Sequence, residues 1–518
     1  MSLRHTLTET TDFATVVELA PWAGELDDSR GERALRMAVD LAGDPRITAL
    51  SITDNAGGHA RLSPGTPAQP VIALGHDVIV HVACRDRNRN ALQSLGWDLL
   101  SRGLSTVLAV TGDYPVEGYE GLSKPVFDID SVGLLGLYRE LSETVVARAT
   151  ADGVPDPETR SFFLGCAVSN VKRFEREVIP QYQKLRLKVR SGAGFVISQV
   201  AYDARKQDEL LRVMRRDGLA VPALANAYVL NRNVARAFHA RRVPGCVVTD
   251  DLLALVERRA ASPDKGRAFF LELAAKQLAV ARGLGYRGIY LSGHRDASEV
   301  GRILEHADAF AEGDWQQLIA DVSFAIPGSF HLFESDGAGL NTDEPSHAYL
   351  ASLTPSARRR ARRRVAPSYK FNRRLHERAF EPGTPTFRAM AGVYRGIERA
   401  HVARPLHVLE QAVKVPLFDC RDCGDCSLPD IAYLCPESQC AKNQRNGPCG
   451  GSHDGWCEIP GKPCIWSEAY RRLKPYGEEE SMLDRPPVIQ DSALRRTSAW
   501  ANTFLERDHF ARRREAEG

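Results

Sequence analysis

The chain has 518 residues, with 68 Lys and Arg against 66 Asp and Glu and a formal charge of +2. That length allows two or more domains with full cores, and the charge balance excludes a global drive toward nucleic acid or an anionic surface. No apolar run is long enough to span a bilayer, and the start, Met-Ser-Leu-Arg-His, lacks the apolar core of a signal peptide, so a cytoplasmic setting is expected.

Short apolar runs alternate with longer amphipathic stretches from residue 15 to 325. Strands are expected at Thr15–Leu19, Ile47–Thr53, Val78–Cys84, Thr106–Val110, Phe162–Val168, Phe195–Val200, Ala223–Leu230 and Gly288–Ser292. Helical periodicity falls between them, at Arg30–Leu41, Ala91–Gly103, Val132–Thr150, Glu175–Val189, Lys206–Arg216 and Arg267–Leu284. Eight strands with intervening helices suit an α/β fold of the (β/α)8 TIM-barrel type, whose chemistry gathers at the carboxyl ends of the strands. An open doubly wound sheet is the alternative, weakened because no Gly-x-Gly-x-x-Gly follows the first strand.

Polar residues interrupt these strands where a barrel would place a pocket. Glu18 lies in Val16-Val17-Glu18-Leu19; if buried, its pKa rises and it becomes a general acid near neutrality, whereas a strand-end Glu facing water explains it equally well. Thr53-Asp54-Asn55 leads into Gly57-Gly58, which lets backbone approach a ligand closely. His81 sits inside the third strand, a place where histidine is more often a core residue than a catalyst. Asp113 is bracketed by Gly112 and Pro115, and Gln199 stands between apolar neighbours, so its amide needs partners. The pattern, repeated over five strands, predicts a polar pocket above an apolar barrel.

Phe324–Leu353 reads as irregular connection. Arg358 to Arg364 then places six arginines in seven positions, an exposed helix or linker that would suit an acidic partner or a polyglutamyl tail. No aromatic-rich reading surface accompanies it, so nucleic acid is not expected. Residues 385–415 read as helical, packing the linker on the barrel or on a second subunit of a homo-oligomer. The tail Ser492–Gly518 reads as one amphipathic docking helix with Leu494, Trp500, Phe504, Leu505 and Phe510 on its apolar side and fraying last residues.

Eight of the eleven cysteines crowd into one stretch: Cys420, Cys423, Cys426, Cys435, Cys440, Cys449, Cys457 and Cys464. A core does not need thiols at this density, and a reducing setting argues against a disulfide framework. Cys420, Cys423 and Cys426 have the ferredoxin-like spacing that wraps one face of a 4Fe–4S cluster, with a remote thiolate as the fourth ligand. Eight thiolates would hold two clusters; structural zinc is the alternative. Cys84, Cys166 and Cys246 lie in or near apolar runs and read as inert core thiols.

Taken together, the pocket motifs resemble the methylenetetrahydrofolate reductase family. The motifs are Glu18 with Pro21, Ser51-Ile52-Thr53 with Ala56-Gly57-Gly58, His81 to Arg89, Leu108 to Asp113, and Ile197-Ser198-Gln199. The cysteine-rich end, with Asn446-Gly447-Pro448-Cys449-Gly450-Gly451, resembles the C-terminal module of some bacterial, acetogen-type reductases of that family. The resemblance implies a flavin- and folate-binding barrel over 1–325, a basic linker over 326–412 and a metal-binding module with a helical tail over 413–518. It implies that Glu18 protonates the folate, that Asp113 tunes flavin and folate, and that Gln199 contacts substrate. Thr53, His81, Asp113 and Lys188 match flavin-contacting positions, with Lys188 suited to a flavin phosphate. FAD is the default flavin and FMN stays open. Electrons would arrive from ferredoxin or another carrier through clusters, or from NAD(P)H if the module is a zinc clamp. A non-catalytic folate-binding subunit of a larger complex is the third reading. Asp54 departs from the Tyr common in the family, and Gly165 to Asn170 lacks the aromatic and acidic residues usual there.

Overall fold

The computed structural model describes residues 2–400 and 404–517. The apolar runs form eight strands: β1 Ala14–Leu19, β2 Ala49–Ile52, β3 Asp77–Ala83, β4 Thr106–Val110, β5 Phe163–Val168, β6 Phe195–Ser198, β7 Ala223–Tyr228 and β8 Gly288–Ser292. All run parallel and close into a barrel in chain order, with β8 returning to β1 through Ala14 opposite Gly288 and Val16 opposite Tyr290. β2, β6 and β8 are buried along their whole length, which is why these runs are largely apolar, with only small serines among them, rather than alternating.

Inward positions fill the barrel: Val16, Ala49, Ile79, Leu108, Phe195, Leu224 and Tyr290 share one core with Leu3 and Leu7. The last two belong to a helix, Leu3–Thr8, that plugs the amino end of the barrel. Its Leu3 N–H donates to Asp77 at 2.8 Å, and Arg287 binds the carbonyls of Thr6 and Thr10. With that end sealed, the carboxyl mouth is where a pocket can form.

Space inside is tight around Gly165 on β5. A Cβ there would lie 2.2 Å from the Phe195 ring, itself fully buried. Gly165→Ala is therefore expected to cost about 1–3 kcal/mol by overpacking and to lower the melting temperature by several degrees. An unchanged melting curve by circular dichroism would show that the ring has room to give.

The segment Phe324–Leu353 is more ordered than its composition suggests. Phe333–Ser335 pairs with Asn341–Pro345, and a helix follows at His347–Leu353. Asp336 makes the turn by accepting from Ala338 and Leu340, and the Asn341 amide donates to Asp208 at 2.8 Å. The turn-forming residues thus build a hairpin against the barrel. The arginine run is a helix, Pro355–Arg364, in which Arg358 pairs with Glu479 at 2.6 Å and Arg362 donates to the Pro475 carbonyl at 2.7 Å. Helices Pro367–Ala379, Pro385–Arg399 and Arg404–Phe418 follow; residues 401–403 of the stretch expected to be helical lie outside the described residues.

The cysteine-rich part is mostly loops and short turns. Its helix Ile465–Leu473 packs against Glu175–Arg190 of the barrel, with Tyr470 donating to Glu175 at 2.6 Å and buried Trp466 donating to the Gln444 carbonyl at 3.1 Å. The tail is two short helices, Ala499–Phe504 and His509–Glu517, not one. Phe504 stacks among Phe380, Phe387 and Tyr394, while buried His509 bridges Asp425 and Asp430. Gly518, where fraying is expected, lies outside the described residues. Among the described residues no helix is long and apolar enough to cross a membrane.

Candidate active site at the barrel mouth

A pocket of about 260 Å³ opens at the carboxyl ends of the strands, and Glu18, Thr53, His81, Asp113, Lys188 and Gln199 all line it. Six residues spread between positions 18 and 199 of the sequence thus converge on one space. Cys84 and Cys166 are buried away from it.

Glu18 projects from β1 into this pocket, half-buried. Burial raises its pKa, and the Tyr290 hydroxyl, donating to its Oε2 at 2.8 Å, pulls it partly back. His294 donates to the Glu18 carbonyl at 2.9 Å and fixes the strand end. Tyr290 is also hydrogen-bonded to Ser51, whose hydroxyl lies 2.9 Å from His81 Nε2. Burial pushes His81 down to about 4, so the ring is neutral at pH 7. Glu18, Tyr290, Ser51 and His81 form one chain of hydrogen bonds across β1, β8, β2 and β3.

Asp113 faces them from beyond β4. Its Oδ2 accepts from the Gly57 N–H at 2.8 Å, a contact the paired glycines permit because Gly57 and Gly58 hold φ of 67° and 80°. At Gly58 a side chain would strike the Tyr114 carbonyl, 2.2 Å from its Cβ position. Gln199 turns its Oε1 to the Val200 N–H at 2.9 Å, leaving its amide nitrogen under Gly245. Lys188 is buried, donates to the Ala167 carbonyl at 2.6 Å, and is pushed by burial to about 8. Asp54 is engaged elsewhere: it accepts from the Ala83 N–H at 3.0 Å and pairs with Arg87 at 2.7 Å, bracing the loop after β3.

The sequence reading passed over several pocket residues. Tyr290 lies in an apolar run whose inward parity becomes visible only once β8 is in register with β1. Gln181 and Asn226 also line the pocket, and Gln181 Nε2 and Asn226 Oδ1 have no hydrogen-bond partner among the described residues. Buried polar atoms left open in this way suit a polar ligand.

The roof of the pocket comes from the cysteine-rich part: Lys442, Cys449, Gly450, Gly451 and Glu458. Lys442 donates to the Gly112 carbonyl at 2.8 Å and pairs with Glu458 at 2.6 Å. Asn446 binds Asp130, and Lys172, buried, donates to the carbonyls of Gly450 and Ser452. Lys172→Met would take its donor from the Ser452 carbonyl and leave the Gly450 carbonyl with the Ser169 hydroxyl alone, a cost of about 1–3 kcal/mol. Faster hydrogen exchange at residues 448–452 is expected; unaltered protection would mean the roof is held from elsewhere.

Cys420, Cys423, Cys426 and Cys435 line one small cleft, and Cys440, Cys457 and Cys464 each feel Cys449, which suggests two groups of four. Burial raises Cys423 to about 12, with Cys426 and Cys435 adding to the effect, and Cys420 and Cys426 are likewise raised by burial and by Cys435. Burial raises Cys440 and Cys464 to about 12 and raises Cys457, with Cys449 acting on all three. Backbone N–H groups point at the sulfurs: Gln444 at Cys440 and Gly451 at Cys449, each at 3.5 Å. Lys414 lies 3.6 Å from Cys426 Sγ. Among the described residues no group of three or more His, Cys, Asp or Glu is arranged to hold a metal ion as it stands. The donor chemistry nonetheless fits a thiolate-bound metal: four sulfurs per group, amide donors to sulfur and a cation nearby.

A family model for methylenetetrahydrofolate reductase matches residues 27–289, just over half of the chain. The chain belongs to the methylenetetrahydrofolate reductase family. A second model, methylene-tetrahydrofolate reductase C terminal, matches residues 400–492, which takes in all eight clustered cysteines of this reductase-family chain. No curated protein matches it. Among solved structures, an uncharacterized Clostridium thermocellum protein described as binding two copies of 5-methyl-5,6,7,8-tetrahydrofolic acid is similar at 12% identity, over 57% of this chain and 94% of that one, with a TM-score of 0.38. An aldo-keto reductase from Bacillus halodurans is similar at 15% identity, over 61% and 92%, with a TM-score of 0.32. A 2,3-dimethylmalate lyase is similar at 14% identity, over 62% and 91%, with a TM-score of 0.31.

Proposed function

We propose that this reductase-family chain interconverts methylenetetrahydrofolate and methyltetrahydrofolate on a flavin held in the barrel pocket, with electrons relayed by iron–sulfur clusters in the cysteine-rich module. Reduction of the methylene form takes up two electrons and two protons. Glu18 supplies the proton that opens the folate ring, its acid form favoured by burial and its direction set by Tyr290. Asp113, anchored by Gly57, and the amide of Gln199 orient the folate ring. Thr53, His81 and Lys188 would hold the flavin, and Gln181 and Asn226 have open hydrogen-bonding atoms in the same space. A bound flavin supplies hydride to the carbon and accepts electrons one at a time. Cys420, Cys423, Cys426 and Cys435 would hold one cluster, and Cys440, Cys449, Cys457 and Cys464 the other.

The observation that carries this reading is Cys449, a member of the second thiol group that also lines the pocket with Glu18 and Asp113. A relay needs a thiol group at the pocket wall, whereas a clamp could stand anywhere in the module. The many contacts between roof and barrel do favour a second reading, in which the module is a structural zinc clamp and NAD(P)H is the donor. An absorption spectrum with iron, zinc and acid-labile sulfide analysis on anaerobically purified protein separates the two. Flavin bands with iron and sulfide support the relay. Flavin with zinc and no iron selects the clamp, and no flavin at all sinks both.

A further inference from the structure

The other thiol group opens on the far side of the module. Cys426 and Lys414 line a cleft of about 550 Å³ between the helices Pro367–Ala379 and Arg404–Phe418 and the C-terminal tail. Its walls are apolar, with Phe371, Leu375, Val413, Leu417 and Trp500 among them. Phe371 is 64% exposed and Leu417 58%, although side chains of this kind are ordinarily covered. The exposed face continues along the same helix through Val408 and Leu409.

Lys414, Arg485, Arg513 and Arg514 line the cleft against Glu381 and Asp484, and further arginines flank it. Phe371, Arg374, Leu375 and Arg378 stand at i, i+3, i+4 and i+7 of one helix, all exposed, so apolar and positive side chains share a single stripe. Residues 355–404 hold thirteen arginines and one lysine against three glutamates. The acids near the rim are in part engaged: Glu377 pairs with Arg373, and Asp484 with Arg190. A second copy of the chain would bring this excess against itself, which disfavours self-association here.

We propose that this cleft is the docking site of a small acidic one-electron carrier protein, which delivers electrons to the thiol group around Cys426. The proposal rests on the relay reading above and adds to it the port and the partner. An apolar floor with a charged rim is the anatomy of a transient protein interface, and the rim charge selects an acidic partner and speeds its arrival. Two reduced carriers are oxidised for each folate reduced, and the two protons come from water. The order is then carrier, first thiol group, second thiol group, barrel pocket, which gives a reason for two groups where one would serve a clamp.

The test compares two donors on the full-length, metal-loaded protein: an acidic plant-type ferredoxin kept reduced, and dithionite-reduced methyl viologen, a small cation with no need of a docking face. Arg374→Glu with Arg378→Glu, and separately Phe371→Ser, are expected to raise the apparent KM for ferredoxin roughly tenfold and to flatten its dependence on salt. Methyl viologen turnover of methylenetetrahydrofolate stays within about twofold of the parent, which also shows that the variants fold. Ferredoxin kinetics identical to the parent overturn the docking site, as does ferredoxin failing as donor while methyl viologen works. Loss in the variants of a homodimer seen by sedimentation, or of binding to phosphatidylserine vesicles, overturns it in favour of those occupants. Failure of methyl viologen to drive the parent protein overturns the relay reading itself.

Discussion

Glu18→Gln is expected to leave a folded protein that still binds folate and turns over roughly a thousandfold more slowly. The substitution keeps size and hydrogen-bonding shape, and the Tyr290 hydroxyl retains an oxygen to donate to. What is lost is the transferable proton. Stability is expected to hold, because a neutral amide avoids the desolvation cost that burial imposes on the carboxylate. The pH profile follows from the same geometry. Burial raises the Glu18 pKa, so the proton-bearing form persists toward neutrality, and the rate falls as pH rises through that value. Tyr290→Phe removes a hydrogen bond that stabilises the charged form, so the Glu18 pKa rises further and the alkaline limb moves to higher pH. Steady-state rates with methylenetetrahydrofolate across pH 5 to 9 test both variants. Parent-like turnover in Glu18→Gln would remove Glu18 from the acid role, and an unmoved limb in Tyr290→Phe would mean another group sets it.

The second large effect is expected at Cys449. Cys449→Ser should halve the iron and sulfide of a two-cluster protein and lower donor-driven turnover by at least about a hundredfold, since even partners of metal ligands are commonly worth that much. Folate binding should persist, because Glu18, Asp113 and Gln199 stand on other elements. Cys246→Ser is the control. That thiol is raised to about 12 by burial and stands outside both groups of four, so metal content should not move. Full iron content in Cys449→Ser would exclude the residue as a ligand. Full turnover with half the iron would exclude the second group from the electron path.

How much of this was legible in the sequence depends on the range over which each contact is encoded. The barrel strands announce themselves locally, as largely apolar runs of four to seven residues, and all eight predicted C-termini fall within two residues of the observed ones. Glu18, Asp113 and Gln199 stand out because a polar residue breaks such a run. Tyr290 does not stand out, being at home in an apolar strand, and only the closure of β8 onto β1 puts its hydroxyl beside Glu18. The roof is harder still. Lys172 and Gly450 are 278 positions apart, and no local pattern links a lysine after β5 to a glycine between cysteines. The hairpin at Phe333–Pro345 was hidden for a different reason. Its Asp, Gly and Asn residues signal a turn, and whether a turn belongs to a loop or to a hairpin is decided by what it packs against.

The loop that carries Cys449 is at once the ceiling of the pocket and one holder of the second thiol group. Damage and exposure are thereby tied together. If the proposed metal is bound by these sulfurs, a change there would also be felt in the cover over the barrel pocket. Engineering meets the same coupling. The barrel cannot be fitted with a different electron source by exchanging the module alone, because the new part would also have to shape the lid.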